Sequence, residues 1–137
     1  MNECDHKPDA LVETVDICPT LLDLCGLAPL AVSDGKSFVP LLEKPLQPWK
    51  EAAYHVFNRN RGGRVIGHAV RTARYRLVSW RKGWGLDGEE LAVELYDYEE
   101  DPDETRNVAK DGRYAETRRK LEGLLREGPP GRLTTTR

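Results

Sequence analysis

Gly67-His68-Ala69-Val70-Arg71-Thr72-Ala73-Arg74-Tyr75-Arg76-Leu77-Val78-Ser79-Trp80 is the stretch on which the fold turns. Two β-rich runs, 65–71 and 74–81, flank Thr72-Ala73. In the second run Tyr75, Leu77 and Ser79 alternate with Arg76, Val78 and Trp80. That is the period of a strand with one face toward a core. The pair reads as an antiparallel hairpin, although its turn lacks the Asn-Gly signal. Upstream, over 52–58, Tyr54, Val56 and Asn58 alternate with Ala53, His55 and Phe57. Downstream, Gly83, Gly85 and Gly88 mark a loop, and 93–98 supplies another strand. Glu99-Glu100-Asp101-Pro102-Asp103 is an acidic turn with proline at a favoured turn position. A last helix is expected over 112–127, with an apolar stripe of Tyr114, Leu121, Leu124 and Leu125. Gly128-Pro129-Pro130-Gly131 stops it, and 133–137 reads as a frayed tail.

Ahead of the sheet, residues 1–10 read as a loose polar arm. Asp16 is placed to N-cap a helix, and Pro19 sits in the first turn, where its missing N–H costs little. Ile17, Cys18, Leu21, Leu22, Leu24 and Cys25 cover about half of the helix circumference. Asp16, Thr20 and Asp23 occupy the other side, and Gly26 ends the helix. A helix so short and so apolar calls for a large covering surface. Residues 27–50 form a connecting loop rich in Pro29, Gly35, Pro40, Pro45 and Pro48, with a turn of helix over 38–42. The expected class is α+β, a small antiparallel sheet of about four strands with helices on one face.

At 137 residues, with 39 % hydrophobic and 32 % charged side chains, the chain is wetter than an average domain but long enough for one core. Basic and acidic residues number 21 and 23, giving −2. That balance supplies no field for nucleic acid or an anionic membrane, and neither is expected as a partner. No run approaches the roughly 20 apolar residues of a membrane span. Met1-Asn2-Glu3-Cys4-Asp5 lacks the basic start and apolar run of a signal peptide, and the compartment stays undefined. Cys4, Cys18 and Cys25 cannot all pair within the chain. Cys18 and Cys25 stand two helical turns apart, too far to bridge, and read as buried thiols.

Few residues advertise chemistry. His6, His55 and His68 lie beside no carboxylate or cysteine at ligand spacing, and a structural role is preferred for each. His68 is the most interesting, with Arg71 three residues on. Gly62-Gly63 and Gly83, Gly85 and Gly88 read as turn glycines rather than a phosphate loop. Arg59, Arg61 and Arg64 suit an anion or, with preference, a charged strand edge. Asp97, Glu99, Glu100, Asp101 and Asp103 do not fit an EF-hand. Trp80 and Trp84 offer a sugar-stacking platform or, with preference, packing at the core or rim.

Four stretches resemble the C-terminal third of type I sulfatases, in that family's order. Val12-Glu13-Thr14-Val15-Asp16-Ile17-Cys18-Pro19-Thr20-Leu21-Leu22-Asp23-Leu24-Cys25-Gly26 resembles its V-x-x-V-D-I-x-P-T-L-L-D-L-x-G helix. Gly35-Lys36-Ser37-Phe38-Val39-Pro40-Leu41-Leu42 resembles the G-x-S-L-x-P-L-L turn. The stretch 67–80 is similar to a strand pair of the iduronate-2-sulfatase branch. Glu94-Leu95-Tyr96-Asp97, followed by Asp101-Pro102, Glu104 and Asn107-Val108-Ala109, resembles the E-L-Y-D-L-x-x-D-P-x-E-x-x-N-L-A segment.

The resemblance implies an alkaline-phosphatase-like parent. Residues 1–50 would be an arm, helix and loop from the end of its large α/β domain, and 51–137 its C-terminal subdomain. Complete members use a formylglycine nucleophile, matured from C/S-x-P/A-x-R, with a divalent cation, usually calcium. Cys18-Pro19-Thr20-Leu21-Leu22 lacks that spacing, so no catalytic, cofactor or metal residue is carried over. The expected roles are therefore limited to His68, Arg71 and Trp84 as substrate contacts at a pocket mouth. The expected partner is the missing N-terminal domain, or a second copy through Ile17, Leu21 and Leu24. Complete members are often periplasmic, secreted or lysosomal. The leading expectation is a C-terminal sulfatase fragment acting, within its parent, on sulfated sugars. The alternatives are a non-catalytic interaction module derived from a sulfatase and a truncated product that folds poorly.

Overall fold

The computed structural model describes residues 9–60 and 63–128. The expectations for the N-terminal arm through residue 8, for Cys4, His6, Arg61 and Gly62, and for 129–137 lie outside them. Two compact units divide the chain between Glu51 and Ala52.

In the first unit a 3₁₀ turn, Thr14–Asp16, leads into α1, Ile17–Leu24. Gly26, at φ +65°, ends it in the left-handed region that glycine tolerates. A short helix α2, Val39–Glu43, follows, with Pro40 in its first turn. Asp16 does not N-cap α1 with its side chain. Its Oδ2 instead accepts from the backbone N–H of Glu13 at 2.9 Å, closing a capping box on the 3₁₀ turn. Its burial is complete, and Thr20 is buried beside it.

The polar side of α1 is therefore the inward side of this unit. Thr20 Oγ1 accepts from the Phe38 N–H at 3.0 Å, and Ser37 Oγ donates to Asp23 Oδ2 at 2.6 Å. The expected burial of the two thiols is overturned, since Cys18 and Cys25 are exposed with the apolar arc. The physical reason is that residues 33–38 present polar groups, which pair with Asp16, Thr20 and Asp23 rather than with leucines. Gly35 permits this approach, because a Cβ there would lie 2.0 Å from the Val15 carbonyl oxygen.

The second unit is a four-stranded antiparallel meander in the order β1-β2-β3-β4. The strands are β1 Ala53–Asn60, β2 Arg64–Arg71, β3 Tyr75–Lys82 and β4 Glu90–Asp97. β4 starts earlier than its alternation suggests, with a register shift at Trp80/Arg81 that brings Arg81 opposite Glu90. The helix α3, Ala115–Glu127, follows a 3₁₀ turn at Gly112–Tyr114. Val70, Leu77 and Leu95 align across three strands. They form one core with Leu121 and Leu125 of α3 and with Val108 and Ala109. Burying a leucine of this kind stabilises by about 1.5–3 kcal/mol. This unit is the α+β architecture expected from the sequence.

Candidate functional site

The residues that carry the family resemblance mostly tie the second unit together. Thr72 closes the hairpin: its N–H donates to the Tyr75 carbonyl at 2.8 Å, and its Oγ1 accepts from the Tyr75 N–H at 3.0 Å. Arg74 forks onto Asp97, with Nε to Oδ1 at 2.9 Å and Nη2 to Oδ2 at 2.8 Å. Asp97 is buried and also accepts from Tyr114 Oη at 3.2 Å. The hydrogen bonds from the Arg74 guanidinium hold its carboxyl below the ordinary value of 3.8. Asp101 accepts from Thr105 Oγ1 and the Arg106 N–H, which folds the acidic turn. Tyr98 donates to Glu104, which has a positive φ of 54°.

Asn107 protects the outer edge of β4. Its Oδ1 accepts from the N–H of Leu95 at 3.0 Å and of Ala109 at 2.9 Å, while Nδ2 donates to the Val93 carbonyl at 3.1 Å. The Val108 N–H completes the cover, donating to Leu95 at 2.9 Å. This is one way of blunting a sheet edge.

In the first unit Lys50 reaches Asp16 and Glu13 at 2.7 Å each. Burial raises the Asp16 pKa, but hydrogen bonds from the Lys36 N–H, Lys50 and the Glu13 N–H outweigh it and the net shift is downward. The opposite side of α1 presents Ile17, Leu21 and Leu24 at 48 %, 56 % and 58 % exposure. Ile17 and Leu21, with Thr14, Cys18, Leu22, Cys25 and Leu27, line an apolar groove.

The three expected substrate contacts are not brought together. His68 and Arg71 are an odd number of positions apart on β2, so they leave opposite faces of the sheet. His68 is half-buried on the α3 side, in the row of Val56 and Ser79. Arg71 is exposed on the other face, its guanidinium 4.4 Å from the Tyr98 ring centre. Trp84 is 61 % exposed in the loop after β3, under the Arg64 guanidinium at 4.5 Å.

Within the acidic run, Asp97, Glu99 and Asp101 are engaged by arginine, hydroxyl and backbone donors. Among the described residues no three of His, Cys, Asp and Glu come together as metal ligands. Among the described residues no carboxylate set is placed to hold a calcium ion, and no formylglycine motif occurs in the sequence. No catalytic step is assigned to this chain through either group. Among the described residues no helix is long and apolar enough to cross a membrane.

The chain is 34 % identical over 116 residues to a Delta 4,5-hexuronate-2-O-sulfatase of Bacteroides thetaiotaomicron, covering 82 % of this chain and 22 % of that protein. It is 32 % identical to arylsulfatase K of Gallus gallus, covering 88 % and 22 %. A structure solved in complex with its substrate D-glucosamine-2-N,6-O-disulfate superposes with a TM-score of 0.64 at 28 % identity, covering 82 % of this chain and 22 % of that one. The chain thus spans about a fifth of the length of these relatives. Sheet, covering helix and terminal loop define a sulfatase C-terminal region. The chain belongs to the family described as N-sulphoglucosamine sulphohydrolase, C-terminal, which matches residues 2–128.

Proposed function

We propose that this chain is the C-terminal part of a sulfatase that hydrolyses sulfate esters of sugars, with an iduronate-2-sulfatase-like preference. Family membership over residues 2–128 carries the reading. A hexuronate-2-O-sulfatase among the relatives supports the sugar class and the preference. In this reading residues 1–50 end the large domain and 51–137 are the terminal subdomain. The nucleophile, the calcium site and the N-terminal domain come from sequence outside this chain, and the exposed apolar face of Ile17, Leu21 and Leu24 seats on that domain. His68, Arg71 and Trp84 contact substrate in the complete enzyme.

The test is to sequence upstream of Met1 and assay the encoded protein on 2-sulfated hexuronate and sulfated glucosamine. An in-frame C/S-x-P/A-x-R and sulfate release are expected. Alanine at His68, Arg71 or Trp84 should lower kcat/KM, and no change at all three would remove their assigned role. A start at Met1 with no such motif nearby would sink the enzyme reading.

The exposed groove on α1 favours a second reading, a non-catalytic interaction module. In that case the purified chain pairs with a separate protein, or with a second copy through Ile17, Leu21 and Leu24. Co-purification without sulfate release would mark that outcome.

A further inference from the structure

Eight of the described arginines fall into two populations. Arg74, Arg76, Arg81, Arg113 and Arg118 each engage a carboxylate. Arg59, Arg64 and Arg71 engage only aromatic rings. Arg59 and Arg71 sit on the sheet face away from α3, and Arg59 belongs to an aromatic layer at one end of it.

Two cross-strand rows build that layer. Arg59, Val65 and Lys82 align across β1, β2 and β3, and Phe57, Gly67, Trp80 and Ala92 align in the next row. Gly67 lets the Trp80 indole lie flat across β2, since a Cβ there would meet Trp80 Cζ3 at 2.8 Å. Glu94 Oε1 fixes the indole by accepting from Nε1 at 2.9 Å. Phe57 meets the indole edge-on, with centres 6.5 Å apart at 88°, and is 52 % exposed. The Arg59 guanidinium lies 5.5 Å from the indole centre. Lys82 is exposed, and neither it nor Arg59 forms an ion pair among the described residues.

We infer that this face binds a sulfated glycan chain, a class of ligand that rests on the reading proposed above. A guanidinium stacked on an indole keeps its in-plane N–H fork free for bidentate contact with a sulfate. Lys82 supplies a second cation about 10 Å away at the backbone, across one intervening strand. Phe57 offers an apolar flank for the C–H face of a sugar ring. Unpaired cations beside an exposed, fixed aromatic surface match an anionic sugar polymer in both charge and apolar character.

The experiment is a direct binding titration of the purified protein with a heparin-derived octasaccharide. Its fully desulfated counterpart and inorganic polyphosphate serve as controls. Sulfated octasaccharide should bind at least about tenfold tighter than either control. Arg59→Gln and Lys82→Gln should each weaken it by about fivefold. Phe57→Ala should weaken it by a similar factor without changing charge. These side chains are exposed, and thermal melts of the three variants should match the parent. Absent binding, equal binding of polyphosphate or desulfated sugar, or an unchanged affinity in Arg59→Gln or Phe57→Ala would each overturn the assignment. Because the readout is binding, glycan affinity without sulfate release would count against the enzyme reading alone. Sulfate release without this affinity would count against the surface alone.

Discussion

Removing the Lys50 ammonium should loosen the first unit through one buried carboxylate. Asp16 has no exposed surface, and Lys50 Nζ lies 2.7 Å from both of its oxygens. The backbone N–H groups of Lys36 and Glu13 remain in Lys50→Met, at 2.8 Å and 2.9 Å. Breaking a buried ion pair from one side costs about 3–5 kcal/mol. Two retained backbone donors offset part of that, leaving about 2–3 kcal/mol. The opening equilibrium should rise roughly 30- to 150-fold. Native-state hydrogen exchange reads it directly, because the Lys36 and Phe38 amides donate to Asp16 Oδ1 and Thr20 Oγ1. A double-mutant cycle with Asp16→Asn should give a coupling of about 2 kcal/mol. A coupling below about 0.5 kcal/mol, or unchanged Lys36 exchange in Lys50→Met, would refute the account.

Three further outcomes are expected. Gly67→Ala should displace Trp80 and lower stability by about 1–3 kcal/mol in a urea melt, since the new Cβ lands 2.8 Å from the indole; an unchanged midpoint would show that the indole does not cross β2 closely. Leu21→Glu should leave stability within about 0.5 kcal/mol and reduce binding of a hydrophobic dye, because its side chain faces outward at 56 % exposure; a large loss of stability would place that face inward. Asp16 and Asp97 both have depressed pKa values, so their stabilisation is present above the ordinary 3.8 and is lost as pH falls through the lower folded values. The urea midpoint should therefore drop on acidification below about pH 4, less steeply in Asp97→Asn, and an identical slope in that variant would exclude Asp97 as a source.

The sheet was legible because its signal is local. Alternation over 74–81 and the leucine stripe of 112–127 survive without knowledge of partners. What escaped depended on partners distant in sequence. Nothing near Asp16 announces Lys50, which lies 34 residues away. From the sequence Asp16 reads as an N-cap and Thr20 as lying opposite the apolar arc, while the cysteines beside the leucines read as buried. The start of β4 was missed because Glu89-Glu90-Leu91-Ala92 carries no alternation; Arg81 and Arg118 both reach Glu90 there. For the candidate site, His68, Arg71 and Trp84 each stand out singly in the sequence, and the period of the strand separates the first two. The Phe57–Trp80–Arg59 layer escaped because it assembles across three strands. Its visible trace in the sequence is the basic run Arg59, Arg61 and Arg64.

The motif itself divides scaffold from specificity. Thr72, Arg74, Asp97, Asp101 and Asn107 are spent on the hairpin turn, the β3–β4 tie, the acidic turn and the covered edge. Each satisfies a buried or turn-forming polar group, so each is constrained by the fold whatever the protein does. A match at these positions reports architecture. Phe57, Arg59, Lys82 and Trp84 are different: they are exposed, and removing any one leaves no buried group unsatisfied. Substitution there is nearly free for stability. Side chains that are dispensable to the fold, cationic or aromatic, and gathered at one end of the sheet are where recognition of a sulfated ligand by this chain is to be sought.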